Sequence, residues 1–204
     1  MVQPLNRLKE SPSQTAGPYV HIGCVPNFLG IDGVFDSDLG KTMVNDETQG
    51  QRIAITGRVI DGTGTPLKDA LLEIWQADSN GLYNSPSETR GAADPNFAGW
   101  GRQPTDLKTG VFRFDTIKPG RVPFTDGRMQ APHVNFWIVA RGINLGLNTR
   151  MYFADEAEAN GEDPVLARIE HRVRVQTLLA EPIDDGYRFD IHLQGDNETI
   201  FFDI

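Results

Sequence analysis

The sequence predicts an all-β protein with a β-sandwich core, and three observations lead to this prediction. Short segments with alternating or dense apolar residues recur along the chain and are separated by loops rich in glycine and proline. The 204 residues include 21 glycines and 13 prolines, more than an average domain contains. Only residues 155–174 carry helix signals, so we do not expect the alternating helices of a parallel α/β sheet.

The N-terminal quarter of the sequence is its least regular part. It is rich in Gly, Pro, Asn and Asp and has no sustained periodicity, which is typical of an extended arm followed by loops. We therefore predict a single domain with an arm and loops over residues 1–50 and a β-sandwich core over residues 51–204. An arm of this length is expected to lie against another surface.

The predicted core begins with a strand in which Ile53, Ile55 and Val59 alternate with polar or small residues. A turn sequence, DGTGTP at residues 61–66, ends it. Further short strands are predicted at residues 70–77, 111–117, 133–140, 187–193 and 199–202. The clearest is residues 187–193, YRFDIHL, whose apolar residues all fall on one face.

One short helical segment is predicted within residues 155–174, so the protein should contain one or two short helices. Asp163 can cap a helix and Pro164 suits its first position. Val165, Leu166 and Ile169 would form its apolar stripe.

Charge and cysteine content narrow the class of protein. Lys and Arg number 19 against 28 Asp and Glu, a net charge of −9, which argues against electrostatic binding of nucleic acid. The single cysteine, Cys24, cannot form an internal disulfide, and no apolar run has the length of a membrane span. The first residues lack the apolar region of a secretory signal, so we expect a cytoplasmic protein.

Local motifs alone identify no catalytic or metal site. The four histidines are far apart, and neither HExxH, CxxC nor GxSxG occurs. His133 and Asn135 leave the same face of a predicted strand, but an amide is a poor partner for imidazole in binding a transition metal. Residue identity therefore favours a polar histidine at the mouth of a strand.

Longer motifs do carry a resemblance, and they run in order along nearly the whole chain. They are SQTAGPYVHIG (13–23), LLEIWQADSNGLY (71–83), DPNFAGWGRQPTD (94–106), IKPGRVPF (117–124), APHVNFWIVARGIN (131–144) and RMYFADEAEAN (150–160). Together they resemble the intradiol ring-cleaving dioxygenases, and among these the alpha chain of members built from homologous alpha and beta chains. The resemblance implies β-sandwich chains with extended arms, assembled as several alpha/beta pairs.

The family's iron site is incomplete here. The resemblance implies Fe(III) held by two tyrosinates and two histidines, and these positions fall on Tyr83, Val122, His133 and Asn135. An arginine before the histidine pair is replaced by Gln130, and a glutamine of the catalytic chain falls on Arg150. A hard ferric ion needs the phenolate charge that valine cannot offer. We therefore expect a metal-free relic here and Fe(III) bound by the partner beta subunit.

The resemblance also places part of a substrate pocket on this chain, at the alpha/beta contact. The positions implied are Thr15, Gly17, Pro18, Tyr19 and Arg141. The implied reaction is O2-dependent cleavage of 3,4-dihydroxybenzoate to 3-carboxy-cis,cis-muconate. A guanidinium can oppose the carboxylate of this substrate, and a tyrosine can donate a hydrogen bond while its ring packs on the substrate.

Purely structural roles for Arg141 and Tyr19, and other functions for the whole chain, remain open. Arg141 could form an interface salt bridge, and Tyr19 could only pack at the interface. The chain could be a β-sandwich binding protein without a catalytic partner, which a neighbouring gene for a four-ligand homologue would argue against. It could also be a self-sufficient iron protein with unusual ligands, which a red-brown colour of the lone chain would reveal.

Overall fold

The computed structural model describes residues 15–203, which form nine strands and two short α-helices. The strands are β1 (Arg52–Ile60), β2 (Leu71–Trp75), β3 (Trp100–Pro104), β4 (Val111–Ile117), β5 (His133–Val139), β6 (Leu147–Phe153), β7 (Leu179–Ile183), β8 (Gly186–Arg188) and β9 (Ile191–His192). The α-helices are α1 (Pro18–Cys24) and α2 (Ala157–Glu162), and 3-10 segments occupy Asn27–Leu29, Leu166–Arg168 and Arg172–Leu178. Within this part of the chain, no helix is long and apolar enough to cross a membrane.

The strands form one mixed sheet that folds over on itself. Its order is β3-β2-β5-β6-β7-β8-β1-β4, with β9 also paired to β1. Strand β7 joins the two halves because it pairs with β6 on one side and with β8 on the other. Phe114 of β4 and Phe136 of β5 lie in different halves, yet their ring centroids are 6.2 Å apart. The two halves therefore enclose one core, which confirms the predicted all-β sandwich.

Side chains of the central strands point alternately into and away from this core. Phe112 and Phe114 of β4 are at most 1% exposed, as are Val134, Phe136 and Ile138 of β5. Each such side chain contributes about 1.5–3 kcal/mol when it is removed from water. Side chains alternate along β5, so His133 and Asn135 face away from this core. They can therefore join a polar cluster on the other face of the strand.

The predicted strands are found with small shifts, with two exceptions. Residues 111–117 have the predicted bounds, whereas residues 187–193 divide into β8 and β9. The prediction for residues 199–202 is wrong, because they contribute only an isolated bridge between Asn148 and Phe202. Strands β3, β6 and β7 were not predicted. Glycine, proline or polar residues obscure their pattern, and pairing with neighbouring strands makes them strands.

Helical structure differs from the prediction in two places. Helix α1 interrupts the arm, with Pro18 at a first-turn position that suits its fixed φ. Helical structure does occur within residues 155–174, but in short pieces rather than as one helix. Asp163 caps as predicted, since its Oδ1 accepts bonds from the amides of Val165 and Leu166 at 2.8 Å, but a 3-10 segment follows. Its Oδ2 accepts a bond from the amide of Ala131, which ties this turn to the start of β5.

Candidate functional site

The arm and the loop after β5 enclose a cavity of about 280 Å³, called here the arm cavity. Three of the five predicted pocket residues, Gly17, Pro18 and Arg141, line it. The other lining residues are Ala16, His21, Ile22, Leu29, Asp69 and Leu107. Segments far apart in the sequence therefore meet at one mainly apolar cavity that carries a charged pair.

Thr15 fastens the arm next to Arg141. Its Oγ1 accepts a hydrogen bond from the amide of Gly142 at 2.7 Å and donates one to the carbonyl of Ala140 at 3.3 Å. These two residues flank Arg141 directly. Thr15 does not line the cavity itself, so its contribution within this chain is to position the arm.

Arg141 and Tyr19 are both highly exposed. The Arg141 side chain is 81% exposed, and its Nε lies 3.2 Å from Oδ2 of Asp69. This ion pair lies within the chain and is weakened by solvent, so it does not test the interface salt bridge considered for Arg141. Tyr19 is 86% exposed and does not line the arm cavity. Both side chains are accessible to a second molecule.

Two further residues of the arm cavity were not predicted. His21 is only 8% exposed, and its Nε2 has no hydrogen-bond partner among the described residues. Its position three residues after Pro18 places both on one face of α1, a signal that needs the helix to be known. Asp69 has no signal in the sequence, because only the folded chain brings it to Arg141.

A second cavity, of about 380 Å³, is lined by two of the four positions at which the resemblance implies metal ligands. Tyr83, Val122 and Gln130 line it together with Trp75. The Tyr83 ring stacks on Trp75 with 5.8 Å between centroids. Gly81, at φ +78°, lets the loop of Tyr83 approach the loop that precedes Val122, because a Cβ there would lie 2.1 Å from a backbone oxygen.

Strands β5 and β6 bring the remaining positions to the same place. In their antiparallel register His133 is opposite Tyr152, and Asn135 is opposite Arg150. Arg150 Nη1 donates a 2.8 Å hydrogen bond to Oε1 of Gln130 and lies 3.5 Å from the Tyr152 hydroxyl. We call Tyr83, Gln130, His133, Asn135, Arg150 and Tyr152 the inner cluster.

The titratable members of the inner cluster are held in their neutral forms. Burial, helped by the positive charge of Arg150, lowers the pKa of His133 to about 4. The Nδ1 of His133 lies 2.8 Å from the carbonyl of Ala131 and donates to it as the neutral tautomer. Burial raises the pKa of Tyr83, against the opposing effect of Arg150, and it raises the pKa of Tyr152 strongly. The cluster therefore presents phenols and imidazole, without phenolates.

These residues do not fit a ferric ion. Of the four family positions, only Tyr83 and His133 offer suitable donors, and Val122 offers none. The amide nitrogen of Asn135 is directed to the carbonyl of Trp75, at 3.2 Å. No group of three or more His, Cys, Asp or Glu side chains within residues 15–203 is arranged to hold a metal ion. The residues at these positions therefore do not fit Fe(III), and the degenerate site stays a prediction.

The hydrogen bond between Gln130 and Arg150 was not predicted, although both residues were recognised as substituted. They are 20 positions apart, and their contact depends on the register of β5 and β6. Because β6 itself was not predicted, this register was not available from the sequence. In this bond the Arg150 side chain donates and the Gln130 side chain accepts.

Comparison with known proteins gives consistent family matches. A family model described as "Dioxygenase" matches residues 25–195. The chain is 43% identical over 204 residues to the protocatechuate 3,4-dioxygenase alpha chain of Pseudomonas putida, covering 98% of this chain and 99% of that protein. It is 35% identical over 178 residues to the protocatechuate 3,4-dioxygenase beta chain of Burkholderia cepacia, covering 82% of this chain and 75% of that protein.

A solved structure supports the fold independently. The 3-chlorocatechol 1,2-dioxygenase of Rhodococcus opacus superposes with a TM-score of 0.58 and 24% identity, covering 79% of this chain and 68% of that one. At this level of identity the match establishes the fold alone. Fold, family model and relatives agree with the resemblance inferred from the motifs.

Proposed function

Because this chain belongs to the dioxygenase family, we propose that it is the alpha subunit of a protocatechuate 3,4-dioxygenase. In the proposed enzyme, a homologous beta subunit holds Fe(III), and several alpha/beta pairs assemble. The enzyme uses O2 to open 3,4-dihydroxybenzoate to 3-carboxy-cis,cis-muconate in aromatic catabolism. The family is iron-dependent, and the ion supplies Lewis-acid chemistry at the bound ring.

The observation that carries the proposal is the arm cavity with Arg141 at its edge. Its lining is mainly apolar, so an aromatic ring can leave water there. The guanidinium of Arg141 offers a planar pair of donors that matches a carboxylate. Asp69 lies 3.2 Å from this guanidinium in an exposed ion pair, which a ligand carboxylate would have to displace. These features suit an aromatic acid better than a neutral ring.

Tyr19 and Thr15 complete the proposed role of the arm. A tyrosine that is 86% exposed leaves a large apolar ring in water, and covering it with a partner or substrate would be favourable. Its hydroxyl could then donate a hydrogen bond to the bound molecule. Thr15 keeps the arm against the loop of Arg141 through its two backbone contacts. Gly17 and Pro18 line the arm cavity itself.

The chain is not expected to cleave rings alone, because the inner cluster lacks the donors for a ferric ion. What it contributes is a pocket wall, a charge complementary to the substrate and a surface for assembly. The contact with the beta subunit is proposed to bring this wall to the iron that the partner holds. We also propose that the enzyme is cytoplasmic, which suits a chain with one free cysteine, Cys24.

The proposal is tested by producing the chain with and without a homologous chain that has both tyrosines and both histidines. Bound iron, visible absorption and O2 uptake on 3,4-dihydroxybenzoate are then measured. We expect all three only in the joint preparation, and weaker uptake after Tyr19→Ala or Arg141→Ala. Iron and turnover in the lone chain would instead indicate a self-sufficient enzyme. Failure to associate with the homologue would favour a partnerless binding protein.

A further inference from the structure

We propose that Arg150 is a second barrier to metal binding in the inner cluster, in addition to the two missing donors. Its guanidinium contacts Gln130 and Tyr152 and supplies, from within the chain, the positive charge that a bound cation would bring. The inference deepens the proposed function, because it explains why this subunit leaves the iron to its partner. It concerns a different site from the arm cavity and can be tested without any turnover.

The register of two strands places Arg150 among the metal positions. Side chains two residues apart share one face of a strand, and directly opposite residues of neighbouring strands share that face as well. His133 and Asn135 of β5 therefore lie on the same face as Tyr152 and Arg150 of β6. These four residues form a compact two-by-two patch, with the guanidinium opposite the second histidine position of the family.

Hydrogen bonds hold the guanidinium there. Gln130 accepts from Arg150 at 2.8 Å, and its own amide nitrogen donates to the carbonyl of Pro123 at 3.2 Å. Gln130 is only 7% exposed, so this contact is shielded from water. Breaking it would leave a buried acceptor without a partner, so the arginine is not expected to swing out to admit a cation.

A counter-charge is also present. The hydroxyl of Tyr152 contacts Arg150 and interacts with the carboxylate of Asp163. Asp163 is fully buried, and backbone amides of Ala131, Val165 and Leu166 fix its two oxygens. Cation and anion are thus joined through one phenol, and the cluster needs no further positive charge. A multivalent cation would enter a site that already contains a fixed one.

Substitution can restore the two missing donors. Val122 lines a cavity of about 380 Å³, so a larger side chain has space at this position. Asn135 is partly exposed and could be replaced by an imidazole. If Arg150 is the determinant, restoring both donors will not restore metal binding while the guanidinium remains.

The experiment compares two variants of the full chain, V122Y/N135H and V122Y/N135H/R150Q. Both restore the four-donor set, and only the second removes the charge while keeping an amide next to Gln130. Iron per chain and visible absorption are measured after incubation with ferric iron and desalting. We expect the second variant to bind iron about 10- to 100-fold more tightly, the range typical of residues around a metal site. Equal binding, or no iron in either variant, would overturn the proposal.

Two controls separate charge from other effects. R150Q alone should remain without iron, because it lacks two donors, and iron in this variant would show that the site does not depend on the restored donors. V122Y/N135H/R150K keeps a positive charge in a smaller head group. We expect it to resemble V122Y/N135H. If the lysine variant binds iron as well as the glutamine variant does, positive charge is not the determinant.

A second pair covers the case in which tyrosine at position 122 prevents folding. N135H and N135H/R150Q offer three donors, and binding of Co²⁺ is followed by its visible absorption. Tighter binding by N135H/R150Q is expected, and equal affinities would contradict the role of Arg150. None of these measurements uses the arm cavity. The proposal for Arg150 can therefore fail while the proposed alpha subunit function holds. Likewise, the proposed function can fail while the proposal for Arg150 holds.

Discussion

The inner cluster and the arm cavity are both built from segments distant in sequence, yet they differ in how far their polar groups are already bonded within the chain. In the inner cluster, His133 is 4% exposed, and Arg150 is bonded to Gln130 within the chain. At the arm cavity, the side chains of Tyr19 and Arg141 are more than 80% exposed. The polar groups of the inner cluster bond to one another, whereas the exposed side chains at the arm cavity are accessible to another molecule.

This difference separates stability from function in the two regions. Polar groups that are buried and mutually bonded cost free energy when one partner is removed. Exposed groups contribute little to folding, but they are available for binding. Substitutions in the inner cluster should therefore alter the free energy of unfolding, and substitutions at the arm cavity should alter activity of the complex.

The largest effect is expected for Arg141→Ala in the alpha/beta complex. Losing the counter-charge to a desolvated carboxylate should lower kcat/KM on 3,4-dihydroxybenzoate by about 10²- to 10³-fold. Catechol lacks the carboxylate and should be affected much less. The free energy of unfolding should change by less than about 0.5 kcal/mol. Arg113→Ala, at another exposed ion pair, is the matched control. Equal losses on both substrates would argue against a charge role.

The next effect is a pH dependence of stability due to His133. Its folded pKa is about 4, whereas an unfolded histidine has a pKa of about 6.5. Between these values the unfolded chain binds the extra proton, so this contribution is complete above pH 6.5 and is lost as the pH falls towards 4. The loss is about 3 kcal/mol, measurable by urea unfolding.

His133→Asn tests this assignment, because its amide can still donate to the carbonyl of Ala131. The slope of stability against pH between 6.5 and 4 should be shallower than in the parent chain. The exposed His171 provides the control, since His171→Gln should leave the slope unchanged. An unchanged slope in the His133 variant would show that this histidine is not the group that titrates.

Removal of Arg150 should destabilise the chain by a smaller amount. Arg150→Met leaves the carbonyl oxygen of the Gln130 side chain without its donor and removes the partner of Tyr152. We expect a loss of about 1–3 kcal/mol in the free energy of unfolding by urea. Arg150→Gln should lose less, because its amide can still donate. Arg128→Ala, an exposed arginine paired with Asp126, should be nearly neutral.

The smallest effect is expected for Tyr19→Phe, which keeps the ring and removes the hydroxyl. If the hydroxyl donates one hydrogen bond to the substrate, KM should rise about fivefold, equivalent to about 1 kcal/mol. Tyr19→Ala should weaken both turnover and association with the beta subunit, because it also removes the apolar ring. A phenylalanine variant with unchanged kinetics would leave the tyrosine only a packing role.

Much of the fold could be predicted because its signals are local. Phe112 and Phe114 alternate with Arg113 and Asp115 in β4, and the strand has the predicted bounds. In β3, Gly101 and Pro104 obscure any alternation, and the strand exists because β2 pairs with it. Likewise, the segment at residues 199–202 has strand-like residues but finds no strand partner beyond one bridge.

The candidate sites divide in the same way. The sequence by itself determined the family and the missing donors, because Val122 and Asn135 cannot act as tyrosinate and imidazole whatever surrounds them. Only the tertiary structure decided that Arg150 meets Gln130 and that Asp69 meets Arg141. Residue type sets which bonds a side chain can make. Strand register and loop packing determine which partners come within reach, and these depend on contacts between residues far apart in the chain.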